Sequence, residues 1–193
     1  MKKIIVILVL LVISNSCVAQ NTIGLKDATI SSTKSIGEVS PNIDYIKDID
    51  NSLDKFIGSW TGEYNNKKYE LQFIKKTKYG EKPMKDILLG RMLIKDNSGN
   101  ILYDTFQKPD DQSGLIGLNF QKDLKIYQLS FSGKNPSCGD SGIIYIYFKD
   151  TNNLSLLSVG FLGDGEIVVE EKCQGNKPLF PHNNVAILRL NKK

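Results

Sequence analysis

Few residues of this chain are of a type that does covalent chemistry, and Ser141 stands out among them. It sits in Cys138-Gly139-Asp140-Ser141-Gly142, a turn sequence able to present a serine hydroxyl beside backbone amides. Such a nucleophile needs a general base, and His182 is the single histidine of the 193 residues. Lying between Pro181 and Asn183, it reads as a loop residue rather than a base. Glu170 and Glu171 are adjacent, so on a strand they point to opposite faces and cannot share acid and base work. Gly163-Asp164-Gly165-Glu166 lacks the ligand spacing of a calcium loop and reads as a hairpin turn. Arg91, in the apolar run Leu88 to Ile94, is the candidate anchor for an anionic group in an apolar interior; an alternating strand would equally turn it to solvent. The three cysteines complete the set. Cys138 and Cys173 are expected to form a structural disulfide, because one histidine is too few to build a metal site around two thiols. No metal and no cofactor is expected.

The elements that position these residues are mostly strands. From Trp60 onward, short runs rich in Ile, Leu, Val, Tyr and Phe alternate with Asn, Asp and Gly. Expected strands are 59–64, 68–78, 86–95, 101–107, 115–121, 125–132, 142–149, 154–161, 166–173 and 184–191. Asn65-Asn66, the stretch 97–100, the stretch 150–153 and 163–165 supply residues that accept left-handed turn conformations. No link has room for a crossover helix, so the sheet is read as an antiparallel meander of about ten strands. A meander of that length closes on itself, which removes its edges. Tyr69, Leu71 and Phe73 alternate with Glu70 and Gln72, as half-buried strands do. Ile143 to Phe148 is apolar on both faces and needs cover on both sides.

Ahead of this domain, residues 20–40 lack aromatics and convincing period, and read as a flexible tether. Residues 41–57 are expected to form one short amphipathic helix. Ser40-Pro41 would open it, and Ile43, Ile46, Ile49, Leu53 and Phe56 recur at spacings of three and four. The barrel domain then occupies 58–193.

Residues 1–19 read as a signal segment for export. Lys2 and Lys3 form a positive start, Ile4 to Ile13 an apolar core too short to span a bilayer, and Ser14-Asn15-Ser16 a cleavage region. Cutting before Cys17 would leave that residue lipidated as an envelope anchor, and cutting after Ala19 would discard it and leave a periplasmic or secreted protein. Either route removes Cys17 from the thiol pool and leaves Cys138 and Cys173 as a pair. Removal of the leader takes away Lys2 and Lys3 and no acid, so the formal charge falls from +4 to +2. Basic residues are scattered among acids and only Arg91 and Arg189 are arginines, which excludes a nucleic-acid-binding surface. A membrane contact is expected only through a lipid anchor at Cys17.

Phe56-Ile57-Gly58-Ser59-Trp60 resembles the opening of the lipocalin and fatty-acid-binding barrels, whose first strand begins with Gly-x-Trp. The whole chain resembles an uncharacterised family of flavobacterial exported proteins, with a leader ending Ser16-Cys17-Val18-Ala19-Gln20 before a Gly-x-Trp barrel. The resemblance implies structural roles for Gly58, Trp60 and Arg189: the indole closes one end of the barrel and the guanidinium stacks across it. The Arg-x-Tyr carboxylate clamp of the fatty-acid carriers has no match, because Asn191 follows Arg189-Leu190. Cys138 to Gly142 resembles the nucleophile turn of the chymotrypsin-like proteases. Its histidine, however, follows the serine, and Ile143-Ile144 replace the Gly and Pro of that signature.

The leading reading is a non-catalytic exported β-barrel that holds a small apolar ligand or contacts another protein. Gly90, Gly117 and Ser158 on strands are read as leaving room for a cavity. The alternatives are a structural or inhibitor-like envelope protein with a filled core, and a hydrolase using Ser141 and His182.

Overall fold

A computed structural model describes residues 21–34, 39–164, 173, 179–181 and 188–193. The leader with Cys17, the expected strand 166–173 apart from Cys173, Gly165 of the expected 163–165 turn, His182 and residues 184–187 of the expected strand 184–191 lie outside the described residues. The elements are β1 (Thr22–Gly24), α1 (Leu25–Lys34), β2 (Tyr45–Lys47), β3 (Gly58–Tyr64), β4 (Lys67–Tyr79), β5 (Met84–Asp96) and β6 (Ile101–Asp104). They continue as β7 (Leu115–Phe120), β8 (Tyr127–Ser132), β9 (Ser141–Tyr147), β10 (Leu156–Gly163) and β11 (Leu188–Lys192).

Neighbouring strands run in the order β5-β4-β3-β11-β10-β9-β8-β7, and β7 returns to β5 through Ile116 opposite Leu89. The result is a closed eight-strand antiparallel barrel, all-β as the alternation of Tyr69, Leu71 and Phe73 requires. β6 pairs on the outside of the circuit with β5, and β2 extends β5 in parallel, with β1 beyond it. Inward positions follow from register: Leu71 faces Met92, Tyr69 faces Ile94, and Leu129 faces Ile144. All of these belong to one contiguous core.

The segments before the barrel differ from expectation. Residues 20–40, whose composition suggests a tether, carry β1 and the helix α1. Leu25, Ala28 and Thr29, spaced for one helix face, are buried, and Asp27 sits in the first turn where the helix dipole favours an acid. Residues 41–57 were read as the helix, yet they form β2 and a single 3₁₀ turn at Asp54–Phe56. The cause is Asp48, whose carboxylate accepts the backbone N–H groups of Ser52 at 2.8 Å and Leu53 at 3.1 Å, tying the chain into a turn where a helix would continue. The helical spacing of apolar residues is coincidental, since Ile49 is 59% exposed while Ile46, Leu53 and Phe56 enter the core from different elements.

The barrel is closed at both ends by side chains from outside its strands. At the end where β3 begins, Leu53 and Phe56 are fully buried, and Phe56 stacks on Phe148 with ring centres 5.3 Å apart. At the opposite end, Leu179 and Phe180 enter between the strands. The Phe180 ring lies 5.0 Å from that of Phe131, 5.7 Å from Phe161 and 5.8 Å from Tyr69.

Candidate functional site

Trp60 is fully buried at the Phe56 end, its indole N–H donating to the Phe56 carbonyl at 2.8 Å and its ring tilted against Phe148. The cation above it is Lys192, with Nζ 5.4 Å from the ring centre. This corrects the role expected of Arg189. Along β11, Leu188, Leu190 and Lys192 point inward, so Arg189 points out, where its guanidinium donates to the Ser158 hydroxyl at 2.9 Å. Gly58 does have a structural reason. Its φ of +127° is one that side chains rarely adopt, and an added Cβ would sit 3.3 Å from the Lys192 stem.

Arg91 is not an anchor inside the barrel. It lies between inward Gly90 and Met92, so it faces outward, and its guanidinium is taken by Asp110 at 2.7 Å and the Lys108 carbonyl at 3.2 Å. Lys76 and Arg91 together hold the Asp110 carboxyl below its ordinary range.

A buried polar cluster that motif reasoning missed lies at the Phe56 end. Asp86 accepts from the Tyr45 hydroxyl and from the backbone of Asp48 at 3.0 Å and Lys78 at 3.2 Å. Asp48 accepts the Lys75 ammonium at 2.9 Å besides its two turn amides. Burial, then the Asp86 hydrogen bond, pushes the Tyr45 hydroxyl up to about 12. Each carboxylate is engaged by several protein donors, and the notch that borders Asp48 measures about 70 Å³, so the cluster pins β2 and the 3₁₀ turn to the barrel end. Two segments, 45–48 and 75–86, supply it from opposite sides, which leaves no contiguous motif to read.

The other barrel end gathers most of the remaining candidates. Cys138 and Cys173 are bridged as expected, with Cα atoms 5.5 Å apart. Two residues on, Asp140 is buried and accepts the Leu179 N–H at 2.9 Å, while the Tyr69 hydroxyl donates to the Leu179 carbonyl at 2.9 Å. Ser141 opens β9, and its hydroxyl donates to the Pro136 carbonyl at 3.4 Å. Asp164 donates its N–H to the Ser141 carbonyl, one residue beyond the β10–β9 pair Gly163 and Gly142. Between the β3–β4 turn, the β5–β6 turn and the 134–140 loop lies a cleft of about 580 Å³, floored by Leu102 and Leu179.

Residues 1–173 of this chain match the model of a family of unknown function, DUF6705. The chain belongs to that family. No curated protein and no solved structure matches it. The DUF6705 match takes in both cysteines of the bridge and every barrel strand except β11; Leu179 and Phe180 lie beyond it. In this DUF6705 chain Gly58 opens β3 and Trp60 is covered by Lys192 in place of Arg189. The bridge is a cross-link of the kind that persists in oxidising compartments.

The interior of the DUF6705 barrel is packed where small residues were read as leaving room. A Cβ on Gly90 would stand 2.7 Å from a Phe73 ring carbon and 2.9 Å from Leu115, and one on Gly117 would collide with the Tyr127 hydroxyl. Ser158 is on the outer face under Arg189. The three larger clefts, of about 580, 500 and 330 Å³, are lined chiefly by turn and outer-face residues. The clefts lined by the described residues therefore lie on the surface, the one of about 580 Å³ at the disulfide end.

Proposed function

We propose that this chain is an exported, non-catalytic barrel that works by contact at its surface, in the oxidising space outside the cytoplasm, tethered through a lipid on Cys17 or free after cleavage at Ala19. The observation that carries the reading is the filled interior: the volume beside Gly90 and Gly117 is occupied by Phe73 and Tyr127, and Leu179 with Phe180 fills the barrel mouth. Packed so, the described residues leave no preformed hollow for an apolar ligand beside Gly90 or Gly117 or at the Phe180 mouth. Export is supported by the pattern Lys2-Lys3, Ile4 to Ile13 and Cys17, and by the Cys138–Cys173 bridge.

The test is made on the full-length protein expressed with its leader in a host that processes lipoproteins. Metabolic labelling with a fatty-acid analogue is expected to tag wild type and not Cys17→Ser, while an unlabelled wild type starting at Gln20 selects the free form. Export itself fails if the leader is retained and the protein stays in the cytoplasm. Native mass spectrometry of the processed protein should show polypeptide, with or without its anchor, and no retained apolar molecule. A stoichiometric apolar passenger would overturn the filled-barrel reading. Ester hydrolysis lost in Ser141→Ala would replace it with the hydrolase.

A further inference from the structure

We propose that the cleft at the disulfide end of the barrel binds a small neutral polyhydroxylated ligand, of the mono- or disaccharide class. The inference rests on the surface-contact reading above and gives that surface a ligand.

The charge pattern of the cleft excludes ion recognition. Lys67 and Lys134 are balanced by Asp96 and Asp140, and three of the four are already engaged within the protein. Lys67 Nζ lies 3.5 Å from the Leu179 carbonyl, Asp140 accepts the Leu179 N–H, and both oxygens of Asp96 bond Asn100 at 2.8 Å. An anion would meet two carboxylates and a cation two ammonium groups. An apolar ligand fits no better, because it would strip water from the amides that line the walls and leave them unpaired.

Those amides are the second observation. Among the described residues, the side chains of Asn65, Asn66 and Asn97 have no hydrogen-bonding partner, and all three line the cleft. Each primary amide offers donors and an acceptor side by side, the pairing that a hydroxyl, itself donor and acceptor, answers. Leu102 and Leu179 supply an apolar floor suited to the C–H face of a sugar ring. The volume of about 580 Å³ falls within the range of small-molecule sites, roughly 300 to 1,000 Å³. A peptide strand would instead seek an open strand edge, and these walls are turns.

The walls are also rigid before any ligand arrives. Asn65 and Asn66 hold left-handed φ values of 48° and 61°, which orients their side chains through a tight hairpin. Asp96 ties its own turn through Asn100 and through the Gly99 N–H. The loop on the third side is pinned by the Cys138–Cys173 bridge and by the Gly133 N–H donating to the Asp140 carbonyl at 2.7 Å. Folding thus fixes the backbone of all three walls, so a ligand has only the short Asn side chains left to order.

The experiment titrates processed, disulfide-intact protein with cellobiose, maltose and N,N′-diacetylchitobiose, followed by isothermal calorimetry and amide NMR shifts. Insoluble cellulose and chitin serve as co-sedimentation arms that separate a free sugar from a glycan chain. Phosphate, palmitate and an unrelated extended peptide are the competing classes. At least one saccharide is expected to bind at millimolar concentration, with shifts in the Asn65–Asn66 and 96–100 turns. Asn97→Ala and Asn66→Gly, the latter keeping the left-handed turn, should each weaken it about tenfold with an unchanged melting temperature. Lys134→Ala should weaken it less. The proposal is overturned if no saccharide binds, if binding survives both Asn substitutions, or if phosphate, palmitate or peptide binds there instead. Because a saccharide-silent protein with an empty native mass spectrum leaves the filled barrel standing, the two readings fail separately.

Discussion

The filled mouth makes a quantitative claim about Phe180. Its side chain is 2% exposed and touches three other rings, so truncation to Ala removes an aromatic group from the core. The transfer contribution is about 2 kcal/mol, and a residual cavity of roughly 100 Å³ at about 24 cal/mol per Å³ adds near 2.4 kcal/mol, for a loss of about 4 kcal/mol if the site cannot collapse. Collapse is opposed by Leu179, which Tyr69 and Asp140 hold from both sides of its peptide unit. Phe180→Ala should therefore retain the fold, lower the urea midpoint at constant m-value, and leave a dry pocket beside Tyr69, Phe131 and Phe161 that takes xenon or benzene, detectable by NMR shifts in those rings. A loss below about 1 kcal/mol, with no probe uptake, would refute the reasoning, because the ring would then not belong to the barrel core.

Two further outcomes follow from the opposite end. Arg189→Ala should leave the fluorescence of Trp60, the single tryptophan, unchanged and cost about 1 to 2 kcal/mol through the orphaned, buried Ser158 hydroxyl, whereas Lys192→Ala should shift the emission at a cost of about 0.5 to 1 kcal/mol; the reverse pattern would restore Arg189 as the closing cation. Tyr45, with a hydroxyl near 10 when unfolded and about 12 when folded, contributes stability that is fully present below about pH 10 and is lost as pH rises toward 12, at about 1.4 kcal/mol per unit. Tyr45→Phe should flatten that part of the stability profile, and an unaltered profile would show that other groups set the alkaline limit.

Most of the barrel was legible because period-two alternation and left-handed turn residues are local signals. β3 to β5 and β7 to β10 fall within two residues of the expected limits at each end, and Asn65-Asn66 forms the turn its composition demands. The N-terminal region was misread because its signals mimic one another. Ile46, Leu53 and Phe56 have helical spacing only by accident of where β2 ends, and the deciding contact, Asp48 to the amides of Ser52 and Leu53, is a side-chain choice no periodicity displays. On a strand where Leu188 and Leu190 face inward, Arg189 must face out and Lys192 in, so parity already named the cation that covers Trp60.

The site was less legible than the fold for a different reason: whether a barrel is hollow depends on pairs across strands, not on any strand by itself. Gly90 alone reads as missing volume, but its register partner is Phe73, whose ring fills that volume and could not do so past a larger residue. The same pairing occurs where Tyr127 passes Gly117. Glycine on these strands is thus the condition for packing an aromatic, the opposite of a cavity signal. Once the interior is occupied, the side-chain amides left for a ligand at the cleft are those of turn residues, Asn65, Asn66 and Asn97, exposed and without a protein partner among the described residues, which in sequence look like punctuation between strands. Their side chains converge because β3, β4 and β5 all end or begin at the end of the barrel that carries the disulfide loop, so barrel closure turns three unrelated turns into the walls of one cleft.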